Sequence, residues 1–238
     1  MSARKKYTFI DLFSGCGGLS EGFYRMGFTA LAHVEINHWA CETLRKRMAY
    51  YGYSNIEREV IEKDITSADI LTDIDNAVAG RSVDVIIGGP PCQAYSTAGR
   101  VRDAKGMASD PRNFLFESYV KILEHFRPKF FVFENVTGLL SARVNGKPIM
   151  PSIMSALGNS YKLINDPNIL VHNTADYGVP QNRVRVFFVG IKKELDKGNF
   201  EFPKKFSYKV TCEEAISDLP SLDNNEDNTK YKFLPNSE

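Results

Sequence analysis

Apolar positions along the chain alternate between short continuous runs and longer stretches spaced as on one face of a helix. Tyr7–Leu12 reads as a first strand, and Leu19–Met26 opens a helix after a glycine-rich turn. Thr29–Val34 reads as the second strand, followed by an amphipathic helix over Trp39–Tyr50 with Arg45, Lys46 and Arg47 on its basic face. A weaker strand at Glu59–Ile61 leads to Asp64, and Val83–Ile87 is the next strand. Phe114–Phe126 reads as a helix and Lys129–Phe133 as a short strand ending at Glu134. Pro151–Leu157 is helical in pattern, Tyr161–Val171 extended, and Val184–Ile191 a further strand. Strands alternating with helices predict an α/β fold with a doubly wound, mostly parallel sheet. No internal repeat is visible.

The period fades after about Lys192. Lys192–Lys209 is charged and aromatic, Cys212–Leu219 reads as one short helix, and residues 223–228 form a polar, linker-like run. Two parts are expected: a folded unit over residues 1–191 and an extension over 192–238. With 238 residues, 43% hydrophobic and 25% charged, the composition is that of a globular protein with a core of ordinary size. No run approaches the ~18 apolar residues of a membrane helix, and the N-terminus passes from basic residues straight into a strand pattern, so an intracellular protein is expected. The four cysteines, Cys16, Cys41, Cys92 and Cys212, form no CxxC pair and have no histidines at metal-ligand spacing, which argues against a disulfide framework or a zinc site.

A net charge of +1 excludes a basic footprint over the whole surface but not a local one. Arg100, Arg102, Lys105 and Arg112 lie together in GRVRDAKGMASDPR. Such a run is ordinarily a solvated loop. Its position directly after Cys92 points instead to a loop that covers a site.

Three segments carry candidate chemistry. In 9-FIDLFSGCGGLSEGF-23, Gly15, Gly17 and Gly18 stand at a strand-to-helix junction, where they permit a tight turn and close approach of a ligand to the backbone. Glu35 follows the second strand at the ~20-residue spacing of a carboxylate that accepts from ribose hydroxyls. The glycine pattern ends in serine and no lysine follows, so a nucleoside-containing cofactor without a pyrophosphate fits best. Asp64, in KDIT, is either an Asx-turn or capping residue or a partner for an adenine edge. Trp39 is either a core side chain, the favoured reading, or a ring that stacks on a purine. In 88-GGPPCQAYS-96, Pro90 and Pro91 prevent either a strand or a helix from continuing easily through Cys92 and hold the thiol at the carboxyl end of a strand, where α/β sheets bind ligands. A buried structural cysteine is the alternative.

Taken together, FIDLFSGCGG, GGPPCQAYS, FENVTGLL at Phe133–Leu140 and VPQNRVRVFFVG at Val179–Gly190 resemble, in order and spacing, the cytosine-5 DNA methyltransferase family. The resemblance covers residues 7 to 191, with a weaker echo in TCEEAISDLP at Thr211–Pro220. It implies a Rossmann-like methyltransferase fold, S-adenosyl-L-methionine as methyl donor and a cytosine flipped out of double-stranded DNA as acceptor. It also implies a restriction-modification setting in a prokaryotic cytoplasm, with the protein at the nucleoid when it acts on DNA. Carried onto this chain, the cofactor site would comprise Phe13, Ser14, Gly15, Gly17, Gly18, Leu19, Glu35, Ile36, Asp64, Ile65, Pro90, Asn113 and Leu115. The catalytic set would be Cys92, Glu134, Asn135, Arg183 and Arg185.

The chemistry accounts for these residue types. Carbon 5 of cytosine is a poor nucleophile until a thiolate adds to carbon 6, a step assigned to Cys92. Charge then moves onto N3 and O2 and calls for an acid and for cationic support. Glu134 ends the strand expected beside the one that leads to Cys92, and a raised pKa would keep its carboxyl protonated toward N3. Asn135 would orient it; a helix cap or turn pair is the alternative for both. Arg183 and Arg185 alternate along a strand and so face one side. By resemblance Arg185 supports O2 and Arg183 positions nearby groups, unless both are plain surface arginines. Base extrusion is required, with the segment Ser96–Arg112 closing over the nucleotide and meeting phosphates.

Family members continue into a target-recognition region and two further motifs that are not visible in this sequence. The chain is therefore expected to be a catalytic portion of a longer protein or the larger subunit of an enzyme completed by a separate polypeptide. Either way it would bind DNA weakly alone. RNA cytosine-5 methylation by the same fold, and a non-catalytic interaction subunit, are the other readings. The PPCQ context disfavours the first, and the presence of Cys92 and Glu134 the second.

Overall fold

The computed structural model describes residues 7–91, 115–144, 146–164 and 166–219. In chain order the first half runs β1 (Thr8–Leu12), α1 (Gly18–Arg25), β2 (Thr29–Glu35), α2 (His38–Tyr50), α3 (Ile56–Glu59), β3 (Val60–Glu62), α4 (Ile70–Val78) and β4 (Val85–Gly88). The second half runs α5 (Leu115–Phe126), β5 (Phe130–Asn135), β6 (Arg143–Val144), β7 (Lys147–Pro148), α6 (Met150–Gly158), β8 (Tyr161–Leu163), α7 (Pro167–Leu170), β9 (Val171–Asn173), β10 (Val184–Lys192) and α8 (Cys212–Ile216).

The main sheet has the order β3-β2-β1-β4-β5-β10-β8, with β9 also paired to β10. From β3 to β5 every pairing is parallel, whereas β10 runs antiparallel to β5. That reversal has a functional consequence. The carboxyl ends of the parallel strands share one edge, and antiparallel pairing brings the beginning of β10 to the same edge, with Val186 opposite Asn135 and Phe187 opposite Glu134.

Both faces of the sheet are covered, which is why the strands read as continuous apolar runs rather than alternating ones. On one face Leu19 and Phe23 pack against Phe9, Ala30, Val85 and Ile87. On the other, Ile70 and Ile74 of α4, Tyr119 and Ile122 of α5 and Ile153 of α6 close over Leu31, Ile86 and Phe131. The Tyr119 hydroxyl lies between β4 and β5, 3.2 Å from the carbonyls of both Ile86 and Val132. Among the described residues no helix is long and apolar enough to cross a membrane.

Four features differ from expectation. Helix α4 was not anticipated, although Ile70, Ile74, Ala77 and Val78 lie at helical spacing and are all buried. Tyr161–Val171 is not extended throughout: β8 stops at Leu163, and α7 forms a helical turn opening at Pro167, a residue suited to a helix start. Trp39 is 76% exposed rather than core, because α2 buries the stripe Cys41, Leu44 and Met48 and Trp39 lies off it. Arg183 precedes β10 instead of alternating within it.

Candidate active site

The turn after β1 is built on left-handed backbone: Phe13 has φ 59°, Gly15 φ 53° and Gly17 φ 81°. Glycine is favoured at Gly17 on a second count, since a Cβ there would stand 2.8 Å from Leu44 Cδ1 and that buried side chain would have to shift. The turn is tied to the end of β2. Ser14 is buried and donates its N–H to the Val34 carbonyl at 3.1 Å. The Gly15 N–H donates to Glu35 Oε2 at 2.8 Å, and the Asn37 N–H to Glu35 Oε1 at 2.8 Å. The spacing argument for Glu35 thus meets a direct contact with the glycine turn.

Beside this junction lies a cavity of about 480 Å³ lined by Phe13, Glu35, Ile36, Asp64, Ile65 and Leu115, together with Val34, Lys63, Thr66, Gly89 and Pro91. Asp64 does two things at once. Its Oδ1 accepts from the Thr66 N–H at 2.8 Å and the Thr66 hydroxyl at 2.7 Å, an Asx turn, and the residue also forms part of the wall. The Lys63 ammonium is held by Asp69 at 2.8 Å and by Asp73, which leaves Glu35 and Asp64 to set the charge of the wall. Such a surface suits a hydroxyl-bearing ligand of positive charge and repels a pyrophosphate. Gly17, Gly18 and Leu19 stand outside the lining: Gly17 caps α1, Gly18 begins it, and Leu19 turns into the core.

Across the sheet edge, β4 leads into Gly89, Pro90 and Pro91. A Cβ on Gly89 would stand 2.7 Å from Glu134 Oε2, so this carboxylate packs directly on the segment. Asn135, 5% exposed, donates from Nδ2 to the Pro90 carbonyl at 3.1 Å and accepts the Val136 N–H at 2.9 Å. Glu134 Oε1 pairs with Arg185 Nε at 3.0 Å, and Arg185 Nη1 donates to the Val184 carbonyl at 2.8 Å. Pro90 therefore contributes its carbonyl to this cluster, while Pro91 reaches the cavity. Arg183 is exposed; its backbone N–H donates to Asn173 Oδ1 at 3.1 Å. Cys92, Asn113 and the segment Ser96–Arg112 lie outside the described residues.

Sequence reasoning missed Gly89, took Pro91 only as a residue that holds the turn and not as part of the cavity wall, and missed Asp11. Asp11 is 1% exposed beneath the turn; burial pushes its carboxyl up to about 7, and the Ser20 hydroxyl donates to it. The signal was a carboxylate inside the apolar run FIDLF.

Comparison with known proteins shows what the chain is similar to. The chain is 36% identical over 273 residues to the Type II methyltransferase M.Bpa9945I of Bacillus paralicheniformis, matching 90% of this chain and 60% of that protein. It is 38% identical over 235 residues to the Type II methyltransferase M.AquIA of a Picosynechococcus strain, covering 89% of this chain and 88% of that one. A prophage-encoded E. coli protein described as a DNA modification methyltransferase superposes with a TM-score of 0.71 at 31% identity, over 91% of this chain and 56% of that chain. The chain thus spans a little over half of M.Bpa9945I and of the prophage protein. The model of the C-5 cytosine-specific DNA methylases matches residues 7–238, and the chain belongs to that family.

Proposed function

We propose that this chain is the catalytic part of a DNA (cytosine-5)-methyltransferase that draws its methyl group from S-adenosyl-L-methionine and acts on a cytosine extruded from double-stranded DNA. One observation carries the reading. The acid-lined cavity and the Glu134–Arg185 pair meet at one sheet edge, joined by Gly89–Pro91, directly before Cys92.

The cavity residues fit this donor. A volume of about 480 Å³ suits a nucleoside-sized ligand. Each Glu35 oxygen accepts one backbone N–H and keeps capacity for ribose hydroxyls. Phe13, Ile36, Ile65 and Leu115 offer apolar surface to a purine, and the Glu35 and Asp64 carboxylates suit a cation. Bound there, the donor supplies a methyl group on a positively charged sulfur.

The protein's own residues prepare the acceptor. The Cys92 thiolate forms a bond to carbon 6, which makes carbon 5 nucleophilic and moves charge onto N3 and O2. Glu134, taking up a proton as it parts from Arg185, donates a hydrogen bond to N3, and Arg185 donates to O2, so the pair seen between them opens to admit the base. Asn135 anchors the Pro90 carbonyl and keeps the segment leading to Cys92 beside Glu134. Once carbon 5 carries the methyl, a base such as water takes H5 as a proton, the C5–H electron pair re-forms the C5=C6 double bond, and the Cys92 thiolate is expelled. Extruding the base costs a few kcal/mol of stacking and pairing. The arginines of Ser96–Arg112 offset part of this at the phosphates.

Sequence choice falls to a further part of the enzyme. That the chain spans 60% of M.Bpa9945I supports such a part, in the same polypeptide or as a complementing subunit. The test is to incubate the chain, with and without a complementing C-terminal part, with S-adenosylmethionine and duplex DNA containing 5-fluorocytosine. A covalent adduct is expected, because fluorine cannot leave as a proton, and Cys92→Ser abolishes it. Absence of an adduct under every condition overturns the mechanism.

A further inference from the structure

We propose that Arg47 is a positioning residue for the cofactor turn, fixing the Cys16–Gly17 peptide from the neighbouring helix α2. The inference rests on the reading that this turn faces the methyl donor. Arg47 Nη1 donates to the Cys16 carbonyl at 3.1 Å. The N–H of the same peptide, on Gly17, donates to the Ser14 carbonyl at 2.8 Å. The peptide plane is therefore held at both ends, in a stretch where Gly15 and Gly17 adopt positive φ and have no side chains to hold them.

Arg47 is itself clamped. Its Nη2 pairs with Glu21 of α1, and the Tyr51 hydroxyl donates to the same Glu21 oxygen at 2.6 Å. Arg25 Nε occupies the other oxygen at 2.7 Å. The Tyr51 hydrogen bond, then that of Arg25, draws the Glu21 carboxyl down to about 2, so the clamp stays charged at any physiological pH. Leu44, Arg47 and Tyr51 follow one another at spacings of three and four on one side of α2, and Leu44 is the residue whose Cδ1 limits Gly17. One helix face thus presents a steric stop and an electrostatic tie to the same turn.

A surface ion pair alone stabilises a fold very little. What distinguishes this one is its third member, a backbone carbonyl in a glycine-rich turn. Losing Arg47 frees that carbonyl to rotate with its peptide, and the effect falls on turn geometry more than on global stability.

The test uses the full chain and the variants Arg47→Met, Arg47→Lys and Tyr51→Phe. Amide hydrogen exchange reads the turn without any ligand. In Arg47→Met the Gly17 amide, bonded to the Ser14 carbonyl, exchanges at least tenfold faster while those of β5 keep their rates, and Tyr51→Phe gives a smaller rise. Arg47→Lys keeps the charge toward Glu21 but cannot also hold the carbonyl, so exchange in the turn stays raised; a purely structural ion pair would be rescued. S-adenosylmethionine affinity, by calorimetry, falls about tenfold in Arg47→Met. Wild-type exchange at Gly17 in Arg47→Met, or full rescue by lysine, overturns the proposal. If Arg47→Met does not fold, wild-type exchange in Tyr51→Phe does so. A wild-type chain that binds no donor while its turn still responds to Arg47 counts against the cofactor reading and leaves the tie standing.

Discussion

Gly88 and Gly89 are adjacent, yet a methyl group on each would meet different matter. At Gly88 the added carbon would stand 2.7 Å from the Leu12 carbonyl oxygen and 3.0 Å from Tyr119 Cε2. The first belongs to a paired strand and the second to a fully buried ring, so neither can yield. Overpacking of this kind costs about 3 kcal/mol, which for a domain of this size lowers the melting temperature by roughly 6–12 °C. At Gly89 the carbon would stand 2.7 Å from Glu134 Oε2, about 0.7 Å inside the ordinary contact of 3.4 Å, and this neighbour is the end of a side chain. The carboxylate can withdraw at little cost in stability. On the proposed mechanism, however, it withdraws from the place where the base is read. A displacement approaching 1 Å at a reacting group can slow catalysis on the order of a hundredfold. Gly89→Ala is therefore expected to melt within about 3 °C of the wild type yet to transfer methyl groups roughly ten- to a hundredfold more slowly. Gly88→Ala loses stability first. The assays are thermal denaturation and transfer of labelled methyl to duplex DNA in the presence of a complementing C-terminal part. Wild-type turnover by Gly89→Ala, or a Gly88→Ala variant as stable as the parent, would refute the packing argument.

Two further outcomes follow from buried polar groups. Asp11, pushed up to about 7, keeps a proton in the fold that the unfolded chain releases above about pH 4, so its contribution to stability declines as pH rises across that window. Asp11→Asn should therefore gain on the wild type between pH 4 and pH 7, by an amount on the order of 4 kcal/mol, read from urea unfolding at several pH values; a constant difference contradicts the assignment. His33, pushed down to about 4 by burial, works in the opposite sense, since its neutral form takes up a proton on unfolding below its ordinary value. Asn135→Ala leaves the Pro90 carbonyl and the Val136 N–H without their partner and should cost about 1–3 kcal/mol. An unchanged denaturation midpoint would show that this side chain does not anchor the segment.

Much of this arrangement was legible in the sequence because the central strands are buried on both faces and so announce themselves as unbroken apolar runs. The observed β1, β2, β4 and β5 lie within two residues of their expected bounds. Glu35 and Glu134 were readable as carboxylates at strand ends, and the first was linked to the glycine turn by spacing alone. The adjacency of β4 and β5 was readable, but the residue contacts across it were not. Nothing in the order of residues says that Gly89 packs on Glu134 or that Asn135 reaches Pro90; both depend on the pairing of β4 with β5. Trp39 was misjudged because residue type was weighed above its position relative to the buried stripe of α2. Helix α4 was overlooked because its acidic residues Asp73 and Asp75 obscured the apolar positions between them. The start of β10 at Val184 was expected; Arg183, one residue before it, was nevertheless read as alternating with Arg185, and it lies outside the strand.

Glu35 is fastened by one backbone amide from each of two successive strand-to-helix junctions. Its orientation is therefore settled before any ligand arrives, and a nucleoside docking there has little disorder to remove from this part of the rim. On the proposed function, selectivity at that point becomes a matter of hydroxyl geometry, and a 2′-deoxy or 3′-deoxy analogue of the donor should be discriminated by the carboxylate's fixed lone pairs rather than accommodated by a swing of the side chain.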